Sequence, residues 1–244
     1  MTLRMASQVL GAAFCVMVAG IPSPARAGEE TEIAELLIAL IKAGRAVVSE
    51  HQALINDPRK GDKGFTDEFV AREIIKKFKA VTRIDLSRPK GIPQSRLLLT
   101  MLESQREVVR ESQLVINKQG VAFKGFIPSV FARKAGQNFQ TKTGIKMKLT
   151  GTDYRFPGNK PDDFETEVLR MFADPRHPKG QLYVKTTMMD GKPVMRVMDP
   201  EYTSLTCLPC HGGPKGERDI TGMRKEGLKV GELAGAISIV MPMR

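Results

Sequence analysis

"QLYVKTTMMDGKPVMRVM", residues 181–198, sets two strand-like runs on either side of Asp190-Gly191. Asp-Gly is the pair that a two-residue hairpin turn asks for, because both turn positions take a positive φ. The stretch decides the fold class, since a chain whose first half reads as helical then also contains an antiparallel sheet. Outward from it, "IKMKLTGT" (145–152) alternates like a strand, and "ELAGAISIVMPM" (232–243) is a β-branched run suited to a buried strand. Between the first of these and the hairpin, "PDDFETEVLRMFADP" (161–175) begins with capping aspartates and reads as a helix of about three turns.

The first half carries an internal repeat with an ungapped offset of 61 residues. "LLIALIKAGRAVVSEHQALINDPRKGDKGF" begins at Leu36 and "LLLTMLESQREVVRESQLVINKQGVAFKGF" at Leu97. Arg45/Arg106, Val47/Val108, Val48/Val109, Glu50/Glu111, Gln52/Gln113, Ile55/Ile116 and Asn56/Asn117 coincide, and Lys63-Gly64-Phe65 matches Lys124-Gly125-Phe126. So many identities in one register indicate a duplicated helix–loop–helix unit. Ile33, Leu37, Leu40, Gly44, Val47, His51 and Leu54 form a four–three seam along the first helix, and Leu98, Met101, Val108 and Val115 repeat it. Pro128 suits the first turn of a later helix, and the Pro- and Gly-bearing "TRIDLSRPKGIPQSR" (82–96) links the copies. The fold expected is α+β: an N-terminal helical arm, then an antiparallel sheet flanked by helices.

The N-terminus reads as a secretory leader: Arg4, an apolar stretch from about Val9 to Ile21, and "ARA" ending at Ala27. That stretch is short for a membrane span. The chain then divides into a leader at 1–27, a first helical copy at 28–95, and a domain at 96–244 that begins with the second copy. Losing Arg4 and Arg26 lowers the formal charge of +11 by two. A basic exported protein suits an anionic membrane face or an acidic redox partner. No basic run is interleaved with aromatic residues, so no nucleic-acid partner is expected. Helices with a stepped seam often pair, which raises the possibility of a homodimer.

Removing Cys15 with the leader leaves only Cys207 and Cys210, in "TSLTCLPCHGGPKG" (203–216). Cys-x-x-Cys-His is the signature of covalent haem attachment, in which two thiols add to the vinyl groups and the histidine becomes the proximal iron ligand. Zinc would require two more ligands from His51, His177 and His211. A redox pair would stand at a helix start in a βαβ unit, and a simple disulfide is the third alternative. A four-helix cytochrome with its motif on the last helix does not suit the hairpin before the motif or the strand after it.

Residues 123–169, followed by the hairpin and "CLPCHGGP", resemble the periplasmic c-type haem sensor domain family with a PAS-like core. The resemblance covers about residues 97–244, and its most specific piece is Arg155-x-Pro157-x-Asn159-x-Pro161-Asp162-x-x-Glu165. It implies a five-stranded antiparallel sheet holding one haem c, with Cys207 and Cys210 as thioether residues and His211 as the proximal ligand. Some relatives supply a distal cysteine where this chain reads Phe126-Ile127-Pro128. His51 and His177 are the other imidazoles for that face, while Met147, Met171, Met188, Met189, Met195 and Met198 default to core packing. Arg155 could meet a haem propionate.

The function expected is therefore an exported, periplasmic haem c protein that senses redox state or a diatomic gas and signals through a partner such as a membrane sensor. A periplasmic electron carrier is the alternative, and a haem-free zinc or disulfide module the third. No distal acid–base residue is identifiable, so no enzyme is expected.

Overall fold

The computed structural model describes residues 24–243. The leader reading, Cys15 included, lies outside the described residues apart from its last four, which open the first helix. Helix α1 (Pro24–Glu50) and the single turn α2 (Gln52–Ile55) lead through a loop to α3 (Asp67–Thr82); α4 (Ser95–Ile116) leads likewise to α5 (Pro128–Thr143). The bounds of α3 and α5 differ by the repeat offset at both ends. Each helix ends on a left-handed residue, Arg83 or Gly144, after a threonine hydroxyl has donated back to a carbonyl four residues earlier, Phe78 or Phe139.

The two copies interlock reciprocally. Gln113 Nε2 donates to Phe65 O at 2.9 Å, and Gln52 Nε2 donates to Phe126 O at 3.0 Å. Lys124 N donates to Asn56 Oδ1 at 3.0 Å, and Lys63 N to Asn117 Oδ1 at 3.2 Å. Each loop is thus held by the other copy's helix end, with Phe65 and Phe126 in edge contact between them. These bonds explain why Gln, Asn and Lys-Gly-Phe recur at the same offset: the side chains satisfy loop amides and carbonyls that no helix or strand reaches.

The C-terminal part forms an antiparallel sheet from β1 (Lys146–Thr150), β2 (Tyr183–Met189), β3 (Lys192–Tyr202) and β4 (Leu233–Pro242), in the order β1-β4-β3-β2. Asp190 and Gly191 have φ of 51° and 74°, the turn that the opening stretch called for. Met195, Val197, Ile237, Ile239 and Met241 point into the core shared with α1, α3, α4 and α5. Met198 and Ala236, on the other face, pack on Val168, Leu169 and Phe172 of α6 (Asp163–Ala173). The helical arm expected at residues 28–95 shares this one core, with Arg45 and Lys42 of α1 paired to Glu201 and Asp199 of β3.

The architecture is α+β, as the pattern required, with two differences of detail. Among the described residues the sheet has four strands where the resemblance implied five. After β1 the chain makes turns and one 3-10 turn (Pro157–Asn159), because Gly151, Pro157, Gly158 and Pro161 interrupt any ladder. Val115, expected on the seam of α4, is 47% exposed, whereas Ile116 is fully buried. A straight α-helix drifts off a seven-residue repeat, so the core-facing position moves by one residue at the helix end.

Candidate functional site

The Cys-x-x-Cys-His stretch lies in the long connection from β3 to β4, whose two ends are clamped together. Thr203 N donates to Glu232 O at 2.9 Å and Gly231 N to Thr203 O at 2.8 Å. The motif sits on a 3-10 turn (Leu205–Cys207) running into one α-helical turn, α7 (Leu208–His211). Ser204 opens it, with its backbone N–H and hydroxyl 3.4 and 3.3 Å from Cys207 Sγ, and Pro209 occupies the first turn. Cys207, Cys210 and His211 therefore stand at i, i+3 and i+4, on one side of a continuous helical stretch. Gly212 ends it; a Cβ there would sit 2.7 Å from Leu208 O.

His211 Nδ1 is 2.8 Å from Glu226 Oε2, and His211 O accepts from Leu228 N at 2.8 Å. Because a carboxylate only accepts, Nδ1 is the donor, and in the neutral imidazole that makes Nε2 the nitrogen with the lone pair. Arg155 anchors the arrangement. Its Nε and one terminal nitrogen grip Glu226 at 2.7 and 2.9 Å, and the other terminal nitrogen reaches Asp219 Oδ2 at 2.6 Å. It also donates to Cys210 O at 2.7 Å. One guanidinium thus joins the segment after β1, the α7 turn and the return loop.

Electrostatics follow from this geometry. Burial opposes ionisation of Asp219, but hydrogen bonds from Thr221 and Arg155 outweigh it and hold the carboxyl at about 2. Burial likewise disfavours the Glu226 carboxylate, and Arg155 and His211 reverse the balance, lowering its pKa. Burial and then the Asp219 charge push the Cys210 thiol up. Both cysteines are free thiols and half-buried, so no disulfide joins them. Leu205, Ile220, Met223 and Val230 of the same connection are exposed.

The structure brings Cys207, Cys210, His211 and Arg155 together and adds Glu226 and Asp219, which the sequence reading missed. These two lie in a Gly- and Lys-rich segment with no periodicity, and Arg155's need for acceptors was the one available signal. His51 lies in the helical part, where its ring packs on Phe65 and Phe69 and Nδ1 is 2.8 Å from Val47 O. His177 packs on Phe172, with Nε2 3.4 Å from Gln181 O. Met147, Met195 and Met198 are buried in the apolar cores. Among the described residues no three or more His, Cys, Asp or Glu side chains are grouped to hold a metal ion, so the four-ligand zinc set is not assembled.

A family model described as Tll0287-like matches residues 27–242, from α1 through the sheet and the α7 turn. The chain belongs to the Tll0287-like family. No curated protein and no solved structure matches it. Every residue of the site lies within the span matched by the Tll0287-like model. Among the described residues no helix is long and apolar enough to cross a membrane.

Proposed function

We propose that this protein is exported to the periplasm and carries one covalent c-type haem, through which it senses redox state or a diatomic gas and signals to a partner protein. The observation that carries the reading is the α7 turn, which offers two free thiols and an imidazole side by side, with Nδ1 engaged by Glu226 and Nε2 left for iron. Cys207 and Cys210 would form the thioethers and His211 would be the proximal ligand. When bound, the haem supplies a one-electron iron couple and a site for a diatomic ligand. The chain's own residues do the rest: Glu226 fixes the ring, Arg155 fixes Glu226, and exposed Leu205, Ile220, Met223 and Val230 offer apolar contact on the same connection.

The Cys-x-x-Cys-His motif, the leader pattern and the resemblance to periplasmic haem c sensor domains support the same reading. Sensing is preferred over electron carriage because His51 packs on Phe65 and Phe69, His177 on Phe172, and Met147, Met195 and Met198 in the apolar cores, so none of these contacts is to a residue of the α7 turn. The test is an absorption spectrum of the protein produced in a host that attaches haem c, oxidised and reduced, with and without carbon monoxide. Haem bands with a carbon monoxide shift in the reduced form are expected. Bands that resist carbon monoxide would make it an electron carrier, and absence of bands would overturn both.

A further inference from the structure

Glu226 makes a contact that the attachment motif does not require. A histidine beside such a motif can complete its hydrogen bonding with any backbone carbonyl, yet here Nδ1 meets a carboxylate at 2.8 Å. The Glu226 side chain is 12% exposed, so solvent screens its charge little. Its placement is built in at two points. Leu228, two residues on, donates its N–H to His211 O, which pins the return loop beside the α7 turn. Arg155 grips both Glu226 oxygens, which orients the carboxylate and neutralises part of its charge.

We propose that Glu226 is a positioning residue that tunes the iron through His211, with Arg155 as the counter-cation that limits the effect. The inference rests on the haem reading above. A carboxylate that accepts the Nδ1 proton makes the imidazole a stronger donor through Nε2, and second-sphere hydrogen bonding of this kind is one of the levers on a haem potential. Negative charge passed toward the iron favours the ferric over the ferrous form, so it lowers the midpoint potential. The bond to Arg155 pulls the other way. Ring orientation and potential are thus set together by a carboxylate and a guanidinium that lie 71 residues apart in the sequence.

The experiment is an equilibrium redox titration of the full-length haem protein, followed optically, in which the reductant delivers one electron per ferric haem. Wild type is compared with Glu226→Gln, which keeps the shape and an acceptor oxygen but loses the charge. Glu217→Gln is the control, because it removes one charge from the same loop at an exposed residue paired with Lys225. Glu226→Gln is expected to raise the reduction equilibrium constant about tenfold, or about 59 mV for a one-electron couple. Glu217→Gln should move it less than about threefold, since exposed charges are screened. Equal shifts in the two variants, or a lower midpoint in Glu226→Gln, would overturn the assignment. If Glu226→Gln does not accumulate, Arg155→Gln decides: a lower midpoint supports the inference and an unchanged or higher one overturns it. Wild-type protein without haem bands would refute the haem reading itself, which is a different result from haem with an unmoved midpoint.

Discussion

Replacing Arg155 by Met keeps the aliphatic stem and removes the fork that joins three segments. The Asp219 side chain is fully buried and that of Glu226 nearly so, and both lose their guanidinium partner. Breaking a buried pair from one side costs about 3–5 kcal/mol. Asp219 keeps its bonds from Thr221 and Glu226 keeps His211, which places the expected loss near the lower end, about 3 kcal/mol. None of residues 203–232 belongs to the apolar core clusters, so polar contacts hold this connection and the loss should appear as local opening. About 3 kcal/mol corresponds to roughly a 150-fold larger opening constant. The assay is native-state hydrogen exchange, with variant and wild type compared in the same haem state. Protection of the Leu228 and Lys225 amides, bonded to His211 O and Glu217 O, should fall by about that factor while β3 and β4 amides hold. A fall below about threefold at Leu228, or an equal fall in the strands, would refute the assignment of Arg155 as the clamp.

The other predictions concern the scaffold and the loop charges. Gln113→Leu leaves Phe65 O without its side-chain donor and should lower urea stability by about 1–2 kcal/mol, with Gln52→Leu similar because it makes the matching bond to Phe126 O. Effects that differ by more than about 1 kcal/mol would contradict the reciprocal interlock. Gly136→Ala puts a Cβ 2.6 Å from Met147 O, a backbone atom of β1, so it should cost about 1–3 kcal/mol in spite of alanine's better helix propensity. A higher melting temperature would contradict that close approach. Asp219 has its pKa lowered from an ordinary 3.8 to about 2, so its stabilisation is complete above pH 3.8 and disappears as pH falls through about 2. Exchange protection at Leu228 should decline over that window, and equal protection at pH 2 and pH 5 would contradict the role of Asp219.

Local signals carried most of the fold. The 61-residue repeat placed α3 and α5, Asp190-Gly191 placed the hairpin, and the capping aspartates marked the start of α6, where Asp162 forms a reciprocal cap with Glu165. Each of these depends on chain neighbours or on a copied pattern. What the sequence did not reveal depends on distant partners. Glu226 is held against His211 by the Leu228 bond to the histidine carbonyl and by Arg155, and Asp219 is paired with that arginine 64 residues away. The reciprocal Gln and Asn bonds were visible as identities, but their crossing from one copy to the other was not, because both copies offer the same residues. Arg155 stood out in the sequence as a possible propionate contact, but its bonds to Glu226, Asp219 and the carbonyls of Cys210 and Arg224 were not legible there.

The central claim is tested most directly by the intact mass of the protein, measured under denaturing conditions after production in a host that attaches haem c. The expected result is the chain plus one haem, lost on replacing Cys207 and Cys210 together by Ala. A mass equal to the unmodified chain would contradict the account.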